Sequence, residues 1–479
     1  MTSLQDTGSH DLQRAYRQAR LSRDPRFDGI FFVAVISTGI FCRPICPARL
    51  PMEKNVRYYA VAAQALQDGF RPCLRCRPDS APDSPAWRGV ATTTDRAQRL
   101  LSELPAQPVS HVAQRLGISE RYLHSLIRHH LGLTPKQVQI YSQLWFARKL
   151  LLQTRLTVTD IAAACGLQSA RRLQDLMKKY WDKTPTMLRD NQPPSHHSAG
   201  ISLFLPCQTP YNWPQVRDFL VAHCLERVED VGDNHYARAF DWQESEGYIH
   251  AVFDARRCGF EVTLHLTDLQ YIQPVMANLA RMLDTNAQPA VIHEALSAAG
   301  ISEQYLTEGL RFPGTWDAFE AGCRAIVGQQ ISFKAATSYI NRLDNYIDKH
   351  NQFGAVFPTA RDVVNQSQDF LKMPASRQRT LMAFADVCIQ ENAVPDTRTL
   401  LAVKGIGPWT CEYIELRGYN ACDIYLNGDL IVRNMAKALS VTPDNAAPWR
   451  SYLTLQLWHI ALEERAQSAK QKQKKQETV

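Results

Sequence analysis

The chain has 479 residues, too many for one compact core, and its 45% hydrophobic and 21% charged residues are typical of an ordinary globular protein. Its polar start and the lack of a long apolar run exclude a signal peptide and a membrane span, so we expect a cytoplasmic protein with no membrane partner. The net charge of +7 is unevenly divided, because residues 1–200 hold 28 Lys and Arg against 15 Asp and Glu, whereas the remainder holds 26 against 32. A basic first half suits a polyanion such as nucleic acid.

Four cysteines near the start stand in two short-spaced pairs, Cys42 with Cys46 and Cys73 with Cys76, and each pair lies beside an Arg-Pro dipeptide. Two such pairs joined by a loop can hold one Zn²⁺ through four thiolates. The bound thiolates would carry a net charge of about −2, which makes their sulfurs nucleophilic. The neighbouring arginines suggest a phosphate partner, although spacing alone is also compatible with a purely structural zinc ribbon.

The residues around these cysteines carry a family resemblance. The segments 38–44 (TGIFCRP) and 69–76 (GFRPCLRC) closely resemble the N-terminal domain of the Ada family of adaptive-response proteins. The resemblance implies that Cys42 accepts a methyl group from a methylphosphotriester in DNA, and that Thr38, Arg49 and Arg71 lie near the DNA backbone. Methylation removes one negative charge from the site and so weakens its repulsion of DNA phosphates. We therefore expect residues 1–80 to form a zinc domain that converts DNA damage into tighter DNA binding.

The next part of the chain contains an internal repeat, in which residues 109–119 align with residues 158–168 at an offset of 49. Each copy predicts a short amphipathic helix, a glycine turn at Gly117 or Gly166, and a longer helix that ends in Thr-Pro. The turn glycine permits positive φ, and Ser119 can cap the helix that follows, as in a helix-turn-helix motif. Outward positions that could reach bases or phosphates are Arg121, His124, Arg128, Gln168, Arg171, Arg172 and Gln174. A purely structural pair of helical hairpins is the alternative.

Residues 94–190 resemble the AraC-type DNA-binding domain over their whole length. The resemblance implies binding to double-stranded promoter DNA and a contact with RNA polymerase. The second copy departs from the family, with Leu173, Leu176 and Met177 where aromatic residues are usual and Asp182 at a usual glycine position. Hydrophobicity is kept, so the fold should be kept, whereas the sequence that the second helix recognises is left open. Two Pro/Ser-containing segments, 79–85 and 191–198, predict linkers on either side.

From about residue 201 the pattern changes. Residues 249–253 and 260–266 alternate like half-buried antiparallel strands, and a helical period takes over after residue 280. We predict an α/β subdomain over residues 201–285, a helical domain over 286–465 and a basic tail over 466–479. The Gln/Lys-rich stretch 470–475 within this tail predicts disorder. The fold class is accordingly multidomain α+β, mainly α, with a zinc domain, a double helix-turn-helix domain and a sheet followed by helices.

The chemistry of the third region is indicated by two segments. Gly405 and Gly407 stand one residue apart between predicted helices, where backbone N–H groups can face a phosphate, and Asp429 follows Gly428 in a loop before another helix. An ordinary helix–helix turn is the alternative for the glycine pair alone. Together with segments between Tyr211 and Trp458, these residues resemble the AlkA-type 3-methyladenine glycosylases of the helix-hairpin-helix superfamily.

This resemblance implies roles for individual residues. Asp429 is the candidate catalytic carboxylate, because cleaving an N-glycosidic bond builds positive charge on the sugar. Trp409 stands where bifunctional relatives carry a Schiff-base lysine, which predicts a monofunctional hydrolase that leaves an abasic site. Lys404, in the hairpin, is predicted to contact phosphate, and Gln330 occupies the position of the wedge that replaces a flipped base. Phe219, Trp409, Tyr413 and Trp458 match the aromatic pocket, whose rings attract cationic alkylated purines.

We therefore predict a monomeric DNA alkylation-response protein with one zinc, combining an Ada-like methyl sensor, an AraC-like DNA-binding module and an AlkA-like glycosylase. Two alternatives stay open. The third region could be a non-catalytic damage-binding module of a transcription regulator. Conversely, the N-terminal half could merely deliver a glycosylase to DNA, with Cys42 structural.

Overall fold

The structure is a computed structural model that describes residues 9–23, 27–60, 62–76, 78, 90–189, 200–366 and 371–477. Both predicted linkers lie outside the described residues. The chain forms two compact units, the first holding residues 1–201 with 268–274 and the second residues 202–267 with 275–479. No helix among the described residues is long and apolar enough to cross a bilayer.

The first part of unit 1 is a small α/β fold around a four-stranded sheet with the order β3-β1-β2-β4. Its elements are α1 (Ser9–Ser22), β1 (Phe32–Val35), β2 (Ile40–Cys42), β3 (Val56–Tyr59), α2 (Ala62–Gln67) and β4 (Arg71–Pro72). Strands β2 and β4 pair in parallel, with Ile40 opposite Arg71 and Phe41 opposite Pro72. This pairing brings the two cysteine pairs together, because Cys42 ends β2 and Cys73 directly follows β4.

The second part of unit 1 is all helical. Its elements are α3 (Val90–Ser102), α4 (Val109–Leu116), α5 (Glu120–Leu131), α6 (Pro135–Gln153), α7 (Val158–Ala164), α8 (Ala170–Trp181) and α9 (Pro185–Leu188). The predicted glycine turns are confirmed, since Gly117 and Gly166 have φ of 66° and 68°. Ser119 caps α5 by accepting a hydrogen bond from the N–H of Tyr122, whereas Ser169 caps α8 through Arg172. The second turn is thus one residue longer than the aligned offset implies.

The unusual residues of the second repeat are compatible with the fold. Leu173, Leu176 and Met177 are buried, as the retained hydrophobicity predicts. Asp182 ends α8 in the left-handed conformation with φ 51°, the role that Gly132 has after α5 with φ 68°. An aspartate tolerates this conformation better than most residues with a Cβ, so the helix end survives the loss of glycine.

Unit 2 opens with a five-stranded sheet of order β5-β9-β8-β7-β6. Its elements are β5 (Ile201–Pro206), α10 (Trp213–Ala222), β6 (Glu229–Val231), β7 (His235–Trp242), β8 (Ser245–Asp254) and β9 (Gly259–Leu266). Strands β6 to β9 pair in antiparallel fashion. The predicted strands fall within β8 and β9, so the predicted small antiparallel sheet is confirmed.

The rest of unit 2 is mainly helical. The elements are α11 (Ile272–Met282), α12 (Pro289–Ala298), α13 (Ala318–Val327), α14 (Phe333–Ile347), β10 (His350–Asn351), β11 (Gly354–Ala355), α15 (Ala360–Val364), α16 (Ala375–Gln390), α17 (Thr397–Ala402), α18 (Pro408–Gly418), α19 (Leu430–Ala438) and α20 (Arg450–Glu477). A core that includes Ile326, Phe384 and Ile414 joins α13, α16 and α18. The predicted fold class, multidomain α+β and mainly α, is confirmed.

The prediction of disorder over residues 470–475 is wrong, because the backbone there continues α20 as far as Glu477. The segment AQSAKQKQKKQE consists largely of strong helix formers and contains neither Gly nor Pro. Adding residues to an existing helix avoids the cost of nucleation, so this composition can extend α20 without a hydrophobic face.

Candidate metal centre, DNA-binding surfaces and base pocket

The four predicted ligands form a single cluster. The sulfur atoms of Cys42, Cys46, Cys73 and Cys76 all lie within 4.8 Å of one another. Four thiolates at the usual Zn–S distance of about 2.3 Å would have their sulfurs about 3.8 Å apart, and the Cys46 and Cys73 sulfurs are 3.9 Å apart. Cys42 is partly exposed while the other three are buried. The cluster therefore fits one Zn²⁺, with Cys42 on the side that a ligand can reach.

The arginines beside the cluster have two different roles. Arg43 is 1% exposed, its Nε donates to Asp28 at 2.6 Å, and its Nη1 donates to the backbone oxygen of Cys76 at 3.1 Å. It thus holds the cysteine loops together and cannot bind a phosphate, so the suggestion of a phosphate contact is wrong for this arginine. Arg49 and Arg71 are exposed and form no ion pair with other described residues, and Thr38 is exposed as well.

The outward positions predicted on the helix-turn-helix motifs are all exposed. Those of α5 are Arg121, His124 and Arg128, and those of the second copy are Gln168, Arg171, Arg172 and Gln174. The opposite face of α5 buries Leu123, Leu126 and Ile127. His124 lies 4.0 Å from the carboxylate of Glu120, one helical turn earlier. The second helix of each motif therefore presents a polar face to solvent, while its hydrophobic face is packed in the core, as a recognition helix requires.

The two hairpin glycines differ in whether backbone conformation and packing require a glycine at the position. Gly405 has φ 95°, and a Cβ on it would lie 2.1 Å from the hydroxyl oxygen of Thr380. A Cβ on Gly407 would meet nothing within 4 Å, and its φ of −114° suits any residue. The amide groups of Gly405 and Gly407 have no acceptor among the described residues. Packing thus requires glycine at position 405. Gly407 instead leaves open space, and its backbone N–H has no acceptor among the described residues, on an exposed turn that also carries Lys404.

The predicted wedge loop is tied to this hairpin by a residue that the sequence reasoning missed. The Gln329 amide donates to the backbone oxygen of Gly405 at 3.0 Å and to the hydroxyl of Thr410 at 3.1 Å. Gln330, next in the chain, is exposed and has φ 56°, a left-handed conformation that costs free energy for a residue with a side chain. The Gln-Gln pair could have drawn attention to position 329, but no local pattern indicates its partner 76 residues away.

Asp429 caps the start of α19. Its Oδ1 accepts hydrogen bonds from the N–H groups of Ile431 at 2.9 Å and Val432 at 3.0 Å. The side chain is partly exposed, and Oδ2 makes no hydrogen bond within the described part of the chain. A Cβ on Gly428 would lie 3.0 Å from Trp409, so the acid loop packs against that indole. One carboxylate oxygen is therefore held by the helix, while the other is available for chemistry.

The four predicted pocket aromatics fall into two contacting pairs. Phe219 and Trp458 have ring centres 6.4 Å apart with planes 29° apart, and Trp409 and Tyr413 have centres 5.3 Å apart. Phe219 is buried while the other three are partly exposed. Such faces can hold a planar base by stacking.

Two charged or titratable residues near this pocket also escaped the sequence reasoning. The guanidinium carbon of Arg417 lies 4.6 Å from the ring centre of Phe219, and the His223 ring stacks on Phe219 at 4.1 Å. Burial, followed by the positive charge of Arg417, holds the pKa of His223 well below its usual value, so the imidazole is neutral. Neither residue belongs to a recognisable local pattern, since each is identified only by what the fold places beside it.

Comparison with known proteins matches each region of the chain. The metal binding domain of Ada matches residues 15–79, a helix-turn-helix domain matches residues 112–191, and the AlkA N-terminal domain matches residues 202–317. The probable bifunctional transcriptional activator/DNA repair enzyme AlkA of Mycobacterium tuberculosis is 34% identical, over 94% of this chain and 96% of its own. DNA-3-methyladenine glycosylase 2 of Escherichia coli is 31% identical over 53% of this chain and 95% of its own. The bifunctional transcriptional activator/DNA repair enzyme Ada of Escherichia coli is 42% identical over 28% of this chain and 36% of its own.

Proposed function

Because this chain belongs to the family of bifunctional AlkA-type proteins, which join an Ada-type metal-binding domain to a helix-turn-helix domain and an AlkA-type glycosylase, we propose that it both repairs alkylated DNA and regulates transcription. We assign methylphosphotriester sensing to residues 1–80, promoter binding to residues 94–190 and removal of alkylated bases to residues 201–465. RNA polymerase as a partner and a monomeric state stay predictions, which co-precipitation and sedimentation can check.

Base removal is assigned to the site that contains Asp429 and the aromatic pairs. A flipped base would stack between the rings while water attacks C1′ of the deoxyribose. The C1′–N bond breaks and its electron pair leaves with the base, so positive charge develops on the sugar. The Asp429 carboxylate, whose Oδ2 accepts no hydrogen bond from the part of the chain that the structure describes, stabilises this charge or takes the proton of the attacking water. Trp409 cannot form a Schiff base, which supports a monofunctional hydrolase that does not cut the strand.

DNA would be held by the backbone on either side of this site. The amides of Gly405 and Gly407, which have no acceptor among the residues that the structure describes, can donate to a phosphate, and the open space above Gly407 allows the DNA backbone to approach. Gln330 would fill the gap that the flipped nucleotide leaves, and Gln329 would hold it in register with the hairpin. Lys404 would add a positive charge that attracts the phosphates.

Damage sensing is assigned to the cysteine cluster. Cys42, Cys46, Cys73 and Cys76 would hold Zn²⁺, which keeps the thiols deprotonated and therefore nucleophilic. The Cys42 sulfur, the most accessible of the four, attacks the methyl carbon of a phosphotriester. An S–C bond forms, the C–O bond breaks, and the oxygen keeps the electron pair as a phosphodiester anion. The exposed Arg49 and Arg71 would hold the neighbouring phosphates.

The observation that carries the glycosylase proposal is Asp429 itself, whose Oδ1 caps α19 while Oδ2 accepts no hydrogen bond from the described residues, in a loop that packs on Trp409 through Gly428. Base release from methylated duplex DNA tests it, with wild type compared with Asp429→Asn. We expect the wild type to release 3-methyladenine without nicking the strand and the variant to be inactive. If neither protein releases base while both bind DNA, the third region is a damage-binding module and the chain is a regulator only.

Methyl transfer is tested by incubating the protein with methylphosphotriester DNA and mapping the added methyl group by peptide mass spectrometry. We expect the label on Cys42, and promoter binding that rises after the reaction. Cys165→Ala, a buried cysteine outside the cluster, is the matched control and should react like the wild type. Unchanged promoter binding with no label would mean that Cys42 is structural.

A further inference from the structure

A buried arginine lies within the aromatic pocket. Arg417, near the end of α18, is 2% exposed, and its guanidinium carbon lies 4.6 Å from the ring centre of Phe219 and 5.9 Å from that of Tyr413. Phe219 in turn stacks near Trp458. The positive charge therefore lies against the rings that are proposed to hold the flipped base.

The hydrogen-bonding capacity of Arg417 is largely unused. Its Nη1 donates a long bond of 3.4 Å to the hydroxyl of Tyr413, and its Nε is buried without an acceptor. Nη2 also lacks an acceptor, and no carboxylate pairs with the group, as far as the described residues extend. A buried guanidinium without an acceptor is strongly unfavourable unless something else supplies the missing hydrogen bonds.

Other buried arginines of unit 2 are better partnered. Arg324 pairs with Glu320 at 2.9 Å, and Arg238 pairs with the same glutamate at 3.2 Å, with Glu229 beside both. Burial opposes the charge of Arg324, but Glu320 and Glu229 outweigh it and raise its pKa, whereas burial lowers the pKa of Arg417. Two carboxylates thus balance two arginines, and within the described part of the chain no carboxylate pairs with Arg417.

This excess charge bears on which bases the pocket prefers. A guanidinium repels a base that is already cationic, such as 3-methyladenine, and so offsets part of the attraction of the rings. It attracts an uncharged purine that presents a carbonyl oxygen, and this attraction grows as the base departs with the electron pair of the C1′–N bond. Uncharged bases are also poorer leaving groups, so they gain most from such a donor.

We propose that Arg417 is a specificity-determining residue that donates a hydrogen bond to an exocyclic carbonyl of the flipped base, and that this contact sets the rate on uncharged bases such as hypoxanthine relative to cationic ones. This proposal rests on the glycosylase function proposed above. The Tyr413 hydroxyl, 3.4 Å from Nη1, positions the guanidinium for this contact.

The test compares single-turnover release of hypoxanthine from a deoxyinosine duplex with release of 3-methyladenine from methylated duplex, using wild type, Arg417→Gln and Arg417→Lys. Both rates are measured on the same protein sample, so their ratio does not depend on the fraction that is folded. The matched control is Arg311→Gln. Arg311 is equally buried and lies 5.0 Å over the ring of Tyr211, but backbone oxygens accept its Nη1 and Nη2 bonds.

We expect Arg417→Gln to lower the hypoxanthine to 3-methyladenine ratio about tenfold, equivalent to about 1.4 kcal/mol, with Arg417→Lys intermediate and Arg311→Gln unchanged. An unchanged ratio with both rates reduced would show a structural role and overturn the proposal. A larger loss for 3-methyladenine, or a wild type that releases only 3-methyladenine, would also overturn it. A wild type that releases neither base would instead refute the glycosylase function itself.

Discussion

Replacing Asp429 separates the structural role of this side chain from its proposed catalytic one. Its Oδ1 accepts two backbone hydrogen bonds at the start of α19, from Ile431 and Val432, while no described residue donates to Oδ2. Asparagine and serine can both accept the capping bonds, but neither carries a negative charge at neutral pH. Alanine can do neither. The series Asp429→Asn, Asp429→Ser and Asp429→Ala therefore removes charge and cap in different combinations.

The expected magnitudes differ for stability and for catalysis. Loss of the cap in Asp429→Ala should lower the free energy of unfolding by about 1 kcal/mol, with about 0.5 kcal/mol more from the lost interaction between the carboxylate and the helix dipole. Asp429→Asn and Asp429→Ser should lose only the smaller contribution. All three lack the carboxylate that stabilises the developing cation, so base release should fall at least about 100-fold in each.

Unfolding in denaturant measures the first quantity, and single-turnover release of 3-methyladenine measures the second. The interpretation of Oδ2 is refuted if Asp429→Asn is stable and retains base release within about tenfold of wild type. The capping role of Asp429 is refuted if Asp429→Asn lowers the free energy of unfolding as much as Asp429→Ala does.

Four further perturbations follow from the structure. Gly405→Ala should lower the free energy of unfolding by about 3 kcal/mol, because its Cβ would lie 2.1 Å from the Thr380 hydroxyl at a φ of 95°. Gly407→Ala should lower the free energy of unfolding by at most about 1 kcal/mol and yet weaken binding to duplex DNA. If denaturation and binding titrations show equal effects for Gly405→Ala and Gly407→Ala, the proposed difference between the two glycines is contradicted. Purified protein should contain about one equivalent of zinc by metal analysis, which Cys76→Ala should lose, and folded metal-free wild type would exclude the site. The pKa of His223 is depressed well below 6.5 in the folded protein, so the unfolded state takes up this proton first as the pH falls. The free energy of unfolding should therefore decrease by up to about 1.4 kcal/mol per pH unit below pH 6.5. Denaturation at several pH values should show a smaller decrease per pH unit for His223→Gln, and identical decreases would contradict a neutral imidazole.

Much of the architecture could be predicted from local patterns. The turn glycines at 117 and 166, the cap at Ser119 and the alternating strands within β8 and β9 all follow from propensities that act over a few residues. The cysteine spacing likewise predicted the metal centre, because two short-spaced pairs need only one close approach of their loops to form it. Local rules failed at the tail, where a helix that is already nucleated extends into a Gln/Lys-rich segment.

The sequence by itself therefore determined the ligand cluster, the repeated motif and the candidate carboxylate, since each is defined by residue type and spacing. The tertiary structure alone decided that Arg43 is buried in an ion pair with Asp28, and that Gln329 reaches a hairpin 76 residues away. It alone placed Arg417 against Phe219, where none of the described carboxylates pairs with it. Whether a charge is buried and paired depends on which distant segments the fold brings beside it. The desolvation cost of that charge, and the ion pairs or hydrogen bonds that offset it, are therefore not encoded in any local pattern.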